Sequence, residues 1–210
     1  MINTQVKNAI DIKEMTLSVK IGKDVRNLPI VKTASGAVIA GLDTVGDMEL
    51  IKNAALDLCL MTPSDELYYI DFIITTEVKG IPIAQQTAYN LNMDYICLRK
   101  EPKVYMGKTV KFEGRSITSG KQDYYLSEKD AERLKGKNIL FVDDVFSTGS
   151  TFDTIKKVCD KVGCTLKGGL FIAREVDVDR VPYACTTWEY KGIKCQAVAV
   201  LPLLSDEYLV

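Results

Sequence analysis

Apolar, β-branched segments alternate with segments of helical period between residues 47 and 173. The stretch DMELIKNAALDLCL, residues 47–60, repeats apolar side chains at helical spacing, whereas YYIDFIIT, residues 68–75, is typical of a strand. A predicted helix over 81–92 and a predicted strand over 94–99 follow. Because strand, helix and strand in succession form the unit of a parallel sheet, this pattern predicts an α/β fold.

The alternation is interrupted once and then resumes. Residues 101–126 contain separated glycines and several lysines, and we predict a two-stranded excursion with a mobile tip there. A short capped helix over 127–136, a buried strand from Ile139, a helix over 150–163 and a strand over 164–173 come next. The core is therefore predicted to extend over several strand and helix units.

Residues 1–40 and 177–210 lack this alternation. We expect them to form flanking or capping structure around a core at 41–176, with the tail AVAVLPLL as an apolar strand. The N-terminal segment, the core and the C-terminal segment are the predicted divisions of the chain.

Charge and residue usage exclude several classes of function. The chain has 27 Lys and Arg against 28 Asp and Glu, so no general field attracts nucleic acid or anionic membranes. No apolar run approaches the length of a membrane span, and we expect a cytoplasmic protein without nucleic-acid or membrane partners. Because the chain has 0 histidines, a Ser-His-Asp triad and a histidine-zinc site are excluded. Catalysis must use carboxylates, lysines, arginines, backbone amides or a metal ion.

The stretch ILFVDDVFSTGST, residues 139–151, carries the clearest chemistry. Asp143 and Asp144 end a predicted buried strand, where α/β sheets bind ligands. The following STGST offers hydroxyls and consecutive backbone N–H groups at a helix N-terminus, which suits a phosphate group. A phosphate beside sugar hydroxyls that contact the carboxylates describes a ribose 5-phosphate.

This stretch resembles the 5-phosphoribosyl 1-pyrophosphate (PRPP) binding motif of type I phosphoribosyltransferases. TTEVKGIPIA, residues 75–84, is similar to that family's pyrophosphate loop, and LRKEPK, residues 98–103, to the segment that leads into its flexible loop. The resemblance covers about residues 45 to 175 in the same order. It implies a parallel-sheet type I fold with flanking helices, a flexible hairpin loop and a small hood formed by the two ends of the chain.

The resemblance also implies roles for the motif residues. Asp143 and Asp144 would hold the ribose hydroxyls, directly or through Mg²⁺, and together with Lys103 they are the implied catalytic residues. The implied 5-phosphate site consists of Ser147, Thr148, Gly149, Ser150 and Thr151.

A second set of implied residues binds the departing pyrophosphate. The loop itself consists of Glu77, Val78, Lys79 and Gly80, in which Lys79 would neutralise the leaving group. Arg99 and Lys100, with Lys103, would add positive charge at the base of the flexible loop or reach the site of a neighbouring subunit in a homodimer. The implied partners are PRPP and a nucleobase.

The PRPP motif indicates the donor of the ribose 5-phosphate but not the nucleobase that accepts it. The segment EVKG, the long hairpin and the PRPP motif are most similar to adenine and xanthine phosphoribosyltransferases, which implies a purine acceptor and nucleotide salvage. The segments KGIPIA and RKEPK also resemble orotate phosphoribosyltransferases, which keeps orotate as an alternative. A PRPP-binding regulator without turnover is a further alternative.

Overall fold

The computed structural model describes residues 15–33, 36, 38–116, 120–177 and 185–204. The strands within these ranges are β1 (Thr16–Ile21), β2 (Asp24–Lys32), β3 (Val38–Ala40), β4 (Phe72–Thr76), β5 (Asp94–Leu98), β6 (Thr109–Ser116), β7 (Gly120–Ser127), β8 (Asn138–Phe146), β9 (Thr165–Val176), β10 (Thr187–Tyr190) and β11 (Ile193–Pro202). The α-helices are α1 (Met48–Met61), α2 (Ser64–Tyr68), α3 (Gly80–Leu91), α4 (Glu128–Leu134) and α5 (Ser150–Val162).

The main sheet has the strand order β10, β11, β9, β8, β4, β5 in the described part of the chain. Its neighbouring strands are parallel except for β10 and β11, which are antiparallel. The strand order reverses between β4 and β8, because β4 leads to β5 on one side while β8 leads to β9 on the other. Such a reversal opens a crevice at the carboxyl ends of both strands. The predicted α/β fold with a mostly parallel sheet is confirmed.

Side chains of alternating direction along β8 separate two apolar cores. Leu140 and Val142 face a core shared with α1, α3 and the N-terminal strands. Ile139 and Phe141 face a second core that contains Phe152 of α5 together with residues of the β6–β7 hairpin. Since both faces of β8 are covered, its carboxyl end is held rigidly between the two layers.

The N-terminal segment forms an antiparallel sheet of β1, β2 and β3 in the described residues. Its inward side chains belong to the same core as α1, and Val38 pairs with Leu204 beyond β11. β11 lies inside the main sheet next to β9, so the segment at 177–210 supplies a core strand as well. Residues 1–14 and 205–210 of the predicted hood fall outside the described ranges. The divisions near 40 and 176 stay a prediction.

The predicted helices over 47–60, 81–92, 127–136 and 150–163 are confirmed to within two residues at each end. The predicted excursion over 101–126 contains the antiparallel pair β6 and β7, and its tip falls on residues outside the described ranges. None of the helices that the structure describes has the length and apolar character needed to cross a membrane.

The strand predicted over 68–75 is wrong in its first half. Tyr68 ends α2, and the strand begins only at Phe72. Pro63 stands at the N-cap of α2, with Asp65 and Glu66 in its first turn, where a helix favours negative charge. These local signals outweigh the strand preference of the adjacent tyrosines.

Candidate active site

Two adjacent carboxylates lie in the crevice between β4 and β8, of which Asp143 is buried and Asp144 is partly exposed. Asp143 is 6% exposed and accepts hydrogen bonds from the Thr76 hydroxyl, at 3.1 Å, and from the Asp144 backbone N–H, at 3.0 Å. Burial raises the pKa of Asp143 well above its usual value, and the neighbouring Asp144 charge adds to the rise. Burial also raises the pKa of Asp144, although the Lys79 ammonium opposes this rise. The pair therefore needs hydroxyl donors or a cation to carry its charge.

The loop at residues 147–151 follows β8 and has the shape of an anion site, and we call it the anion loop. Ser147 and Thr148 lead into Gly149, whose φ of 81° lies in the left-handed region that favours glycine. A Cβ atom at Gly149 would lie 2.5 Å from the Tyr190 ring, so the backbone is tightly covered on that side. Because α5 begins at Ser150, the N–H groups of its first turn are free of helix partners and suited to phosphate oxygens.

A second loop, Glu77–Gly80, connects β4 to α3 across from the acid pair. The Lys79 ammonium donates to the Leu42 carbonyl at 2.6 Å and lies 3.9 Å from the Asp144 carboxylate. The Thr44 hydroxyl, which is fully buried, donates to the Lys79 carbonyl at 2.8 Å. The segment before α1 thus fixes both ends of the Lys79 residue.

Gly80 allows this loop to approach the acid pair. A Cβ atom at Gly80 would overlap the Asp143 carboxylate and the Thr75 hydroxyl. The Glu77–Val78 peptide bond in the same loop is cis. Only glycine at position 80 leaves room for the Asp143 side chain against the start of α3.

Glu77 faces the base of the hairpin rather than the acid pair. Its carboxylate accepts the Lys100 backbone N–H at 2.9 Å and pairs with the Arg99 guanidinium at 3.3 Å. Glu77 therefore positions residues 99 and 100, and its carboxylate partly neutralises the positive charge of the Arg99 guanidinium. Lys103 forms an ion pair with Glu101 at 3.4 Å and does not line the crevice.

The crevice encloses a cavity of about 220 Å³. The structure brings ten other predicted residues to its wall, and these are Glu77, Val78, Lys79, Gly80, Lys100, Ser147, Thr148, Gly149, Ser150 and Thr151, together with Asp143 and Asp144. Arg99 and Lys103 are the predicted site residues that lie outside this wall.

Sequence reasoning missed several wall residues. Ile39–Leu42 forms one side, while Tyr124 and Glu175 contribute from the hairpin and from the end of β9. Glu175 could have been found, because it lies two residues beyond the strand predicted over 164–173, which follows the motif strand. Thr44 could not, since its contact with Lys79 joins segments distant in the chain.

The acid pair fits Mg²⁺ by its chemistry. Magnesium prefers oxygen ligands and is commonly held by one or two carboxylates together with oxygens of a phosphate substrate. Asp143 and Asp144 provide two such carboxylates with incompletely balanced charge. Among the described residues there is no group of three or more His, Cys, Asp or Glu side chains that could hold a metal without substrate.

Comparison with known proteins places the chain in a family of this chemistry. The phosphoribosyl transferase domain family matches residues 64–196, which include β4, the acid pair and the anion loop. The chain belongs to this family, and the resemblance stated from the sequence is confirmed.

The relatives differ in what they do. The purine biosynthesis transcriptional activator PurR of Lactococcus lactis is 30% identical over 99 residues, 47% of this chain and 36% of that protein. The adenine phosphoribosyltransferase of Picosynechococcus is 30% identical over 141 residues, 65% of this chain and 77% of that protein. The match thus spans about a third of the first relative's length. The solved adenine phosphoribosyltransferase of Rhodothermus marinus shares the fold with a TM-score of 0.53 at 15% identity, and the match covers 90% of this chain and 96% of that one.

Proposed function

We propose that this protein transfers ribose 5-phosphate from PRPP to a nucleobase, of the purine class, and releases pyrophosphate. The observation that carries the proposal is the cavity in which the anion loop, the acid pair and the Lys79 loop meet. A sugar with a phosphate on one side and a pyrophosphate on the other has the complementary arrangement of charges.

In this scheme each part of the cavity binds one part of PRPP. The loop at 147–151 binds the 5-phosphate through its N–H groups and hydroxyls. Asp143 and Asp144 bind the ribose hydroxyls and would hold Mg²⁺ together with substrate oxygens. When bound, the ion would supply positive charge near the pyrophosphate. The Lys79 ammonium would leave the Leu42 carbonyl to pair with the pyrophosphate. The charged pyrophosphate oxygens are stronger hydrogen-bond acceptors for an ammonium group than a neutral carbonyl is.

The remaining requirement is to stabilise charge and exclude water. The ribose gains positive character as pyrophosphate departs, and the Asp143 and Asp144 carboxylates of the cavity wall would offset that charge. Residues 101–108, which include the exposed Val104 and Tyr105, would close over the cavity and protect the activated sugar from hydrolysis. Closure would bring Lys103 towards the pyrophosphate of the same site or of a partner subunit in a homodimer.

The purine class is supported by the relatives rather than by the cavity. One relative named above is an adenine phosphoribosyltransferase and another regulates purine biosynthesis. Orotate stays the alternative acceptor, since the segments around residues 80 and 100 resemble both classes.

A regulator that binds PRPP without turnover is the second candidate function. Its specific support is the transcriptional activator among the relatives, which shares this domain over 99 residues. The position of Lys103 outside the cavity wall is compatible with either function. An enzyme whose loop is open would also have Lys103 away from the cavity.

The two functions differ in one measurable product. The protein is incubated with PRPP, Mg²⁺ and adenine, guanine, xanthine, hypoxanthine, uracil or orotate, and pyrophosphate release is followed. We expect release that depends on a purine base. Pyrophosphate release with orotate alone would show that the acceptor is orotate and not a purine. PRPP binding without pyrophosphate release for any base would contradict the enzyme hypothesis and favour the regulator.

A further inference from the structure

The cavity wall contains a further carboxylate, that of Glu175, to which the proposed function assigns no role. Glu175 lines the cavity next to Ser147, whose hydroxyl acts to lower the pKa of the Glu175 carboxyl group. It lies near the end of β9, one position beyond Arg174, which pairs with Phe146 of β8. Glu175 therefore stands beside the first residue of the anion loop, on the side of β8 away from β4.

Strand order assigns this position to the acceptor. β8 carries the acids for the ribose, and β4, on one side, leads into the loop proposed for pyrophosphate. In a displacement at the anomeric carbon the incoming base attacks from the face opposite the leaving group, so that the reacting orbitals align. The base then enters from the side of β9, where Glu175 lies, and this step rests on the proposed function.

The surroundings of Glu175 favour a particular chemical form. Burial raises the pKa of Glu175 above the usual value for a carboxyl group, and the Asp144 charge raises it further, while Ser147 and Lys79 oppose the rise. A neutral carboxyl group offers one O–H donor and one carbonyl acceptor.

The two purine types differ in what they present to such a group. Adenine presents an N6 amino donor beside the N7 acceptor, whereas guanine presents two acceptors, O6 and N7. On this N7 edge, a group with one donor and one acceptor pairs with adenine through two hydrogen bonds but with a 6-oxopurine through only one. The apolar side chains of Ile39, Ala40 and Leu42 on the same cavity offer a surface for the face of the base.

We propose that Glu175 contacts the N6/N7 edge of the acceptor base and selects 6-aminopurines over 6-oxopurines. The residue is then a determinant of specificity that acts on the acceptor and not on PRPP.

Two substitutions separate the hydrogen bonds from the packing. Glu175→Gln keeps a donor and an acceptor, whereas Glu175→Met keeps the length and removes both. The kcat/KM values for adenine and hypoxanthine, and the KM for PRPP, are measured for each. We expect Glu175→Gln to keep the preference for adenine and Glu175→Met to lose about tenfold or more of it through the KM for adenine.

The control is Glu189→Met, which removes an exposed carboxylate of β10 outside the cavity wall. It should leave the base preference and the KM for PRPP unchanged. An unchanged adenine preference in Glu175→Met would overturn the inference. So would an equal rise in the KM values for PRPP and adenine, because Glu175 would then act through Ser147.

Binding without turnover keeps this test independent of the proposed function. Calorimetric titration with AMP and IMP reports the same base edge in a protein that releases no pyrophosphate. If the wild type prefers AMP and Glu175→Met abolishes that preference, the inference is supported even if the protein is not an enzyme. Equal affinity of the wild type for AMP and IMP contradicts it.

Discussion

The Asp143 carboxyl lies in the cavity that we propose binds PRPP, and its burial disfavours the charged form in the unliganded protein. It is almost fully buried beside Asp144, and its neutral partners are one hydroxyl and one N–H group. The adjacent acids could be read from the sequence. The contacts that fix them, from Thr76 and from the space at Gly80, could not, because they come from a separate strand and helix.

The burial of the Asp143 carboxyl predicts how the stability of the unliganded protein depends on pH. Because the Asp143 pKa is raised in the folded state, the unfolded chain releases this proton first, near its ordinary value of 3.8. The free energy of unfolding therefore falls as pH rises from about 4 until the raised pKa is passed. Asp143→Asn should remove this contribution and stabilise the unliganded protein at pH 7 by about 1 kcal/mol or more.

Thermal denaturation of both proteins between pH 4 and 8 measures the effect. Asp71→Asn is a control of opposite sign, because a hydrogen bond from the Asn138 backbone N–H lowers the Asp71 pKa. That variant should lose stability above pH 4. A constant difference between wild type and Asp143→Asn across this range would contradict the account.

At the level of elements, the segment before α1 acts as a support for the Lys79 loop. β3 and α1 belong to regions with no motif, and their helix and strand patterns indicate only that they pack. The hydrogen bonds from Thr44 and to Leu42 give the connection between them a second role. Local pattern predicts elements, whereas such supports depend on how distant segments meet.

Thr44→Val tests this support. The substitution keeps the shape of the buried side chain and leaves the Lys79 carbonyl without its hydrogen bond, so we expect affinity for pyrophosphate to fall about fivefold. Thr87→Val is the matched control, since the Thr87 hydroxyl is fully buried and makes no hydrogen bond to the described residues. Equal affinities in both variants, measured by calorimetry with pyrophosphate and Mg²⁺, would argue against the support.

For the whole molecule, the alternation of strands and helices was sufficient to predict the mostly parallel sheet and to place the proposed site at the carboxyl ends of its strands. The position of β11 beside β9 and the pairing of Val38 with Leu204 were not predictable, because they join residues far apart in the chain. These pairings bring the N-terminal strands to the cavity and place Ile39–Leu42 on its wall. The proposed donor side of the site was therefore predictable from one motif, while the proposed acceptor side arises from tertiary structure.

The central claim is that the acid pair and the anion loop bind PRPP, and calorimetric titration with PRPP and Mg²⁺ tests it most directly. We expect the wild type to bind, and Asp144→Asn to bind at least about tenfold more weakly, a loss of about 1.4 kcal/mol. Asp160→Asn, which removes an exposed acid paired with Lys156 on α5, should bind as the wild type does. Absence of binding by the wild type, or an equal loss in both variants, would contradict the account.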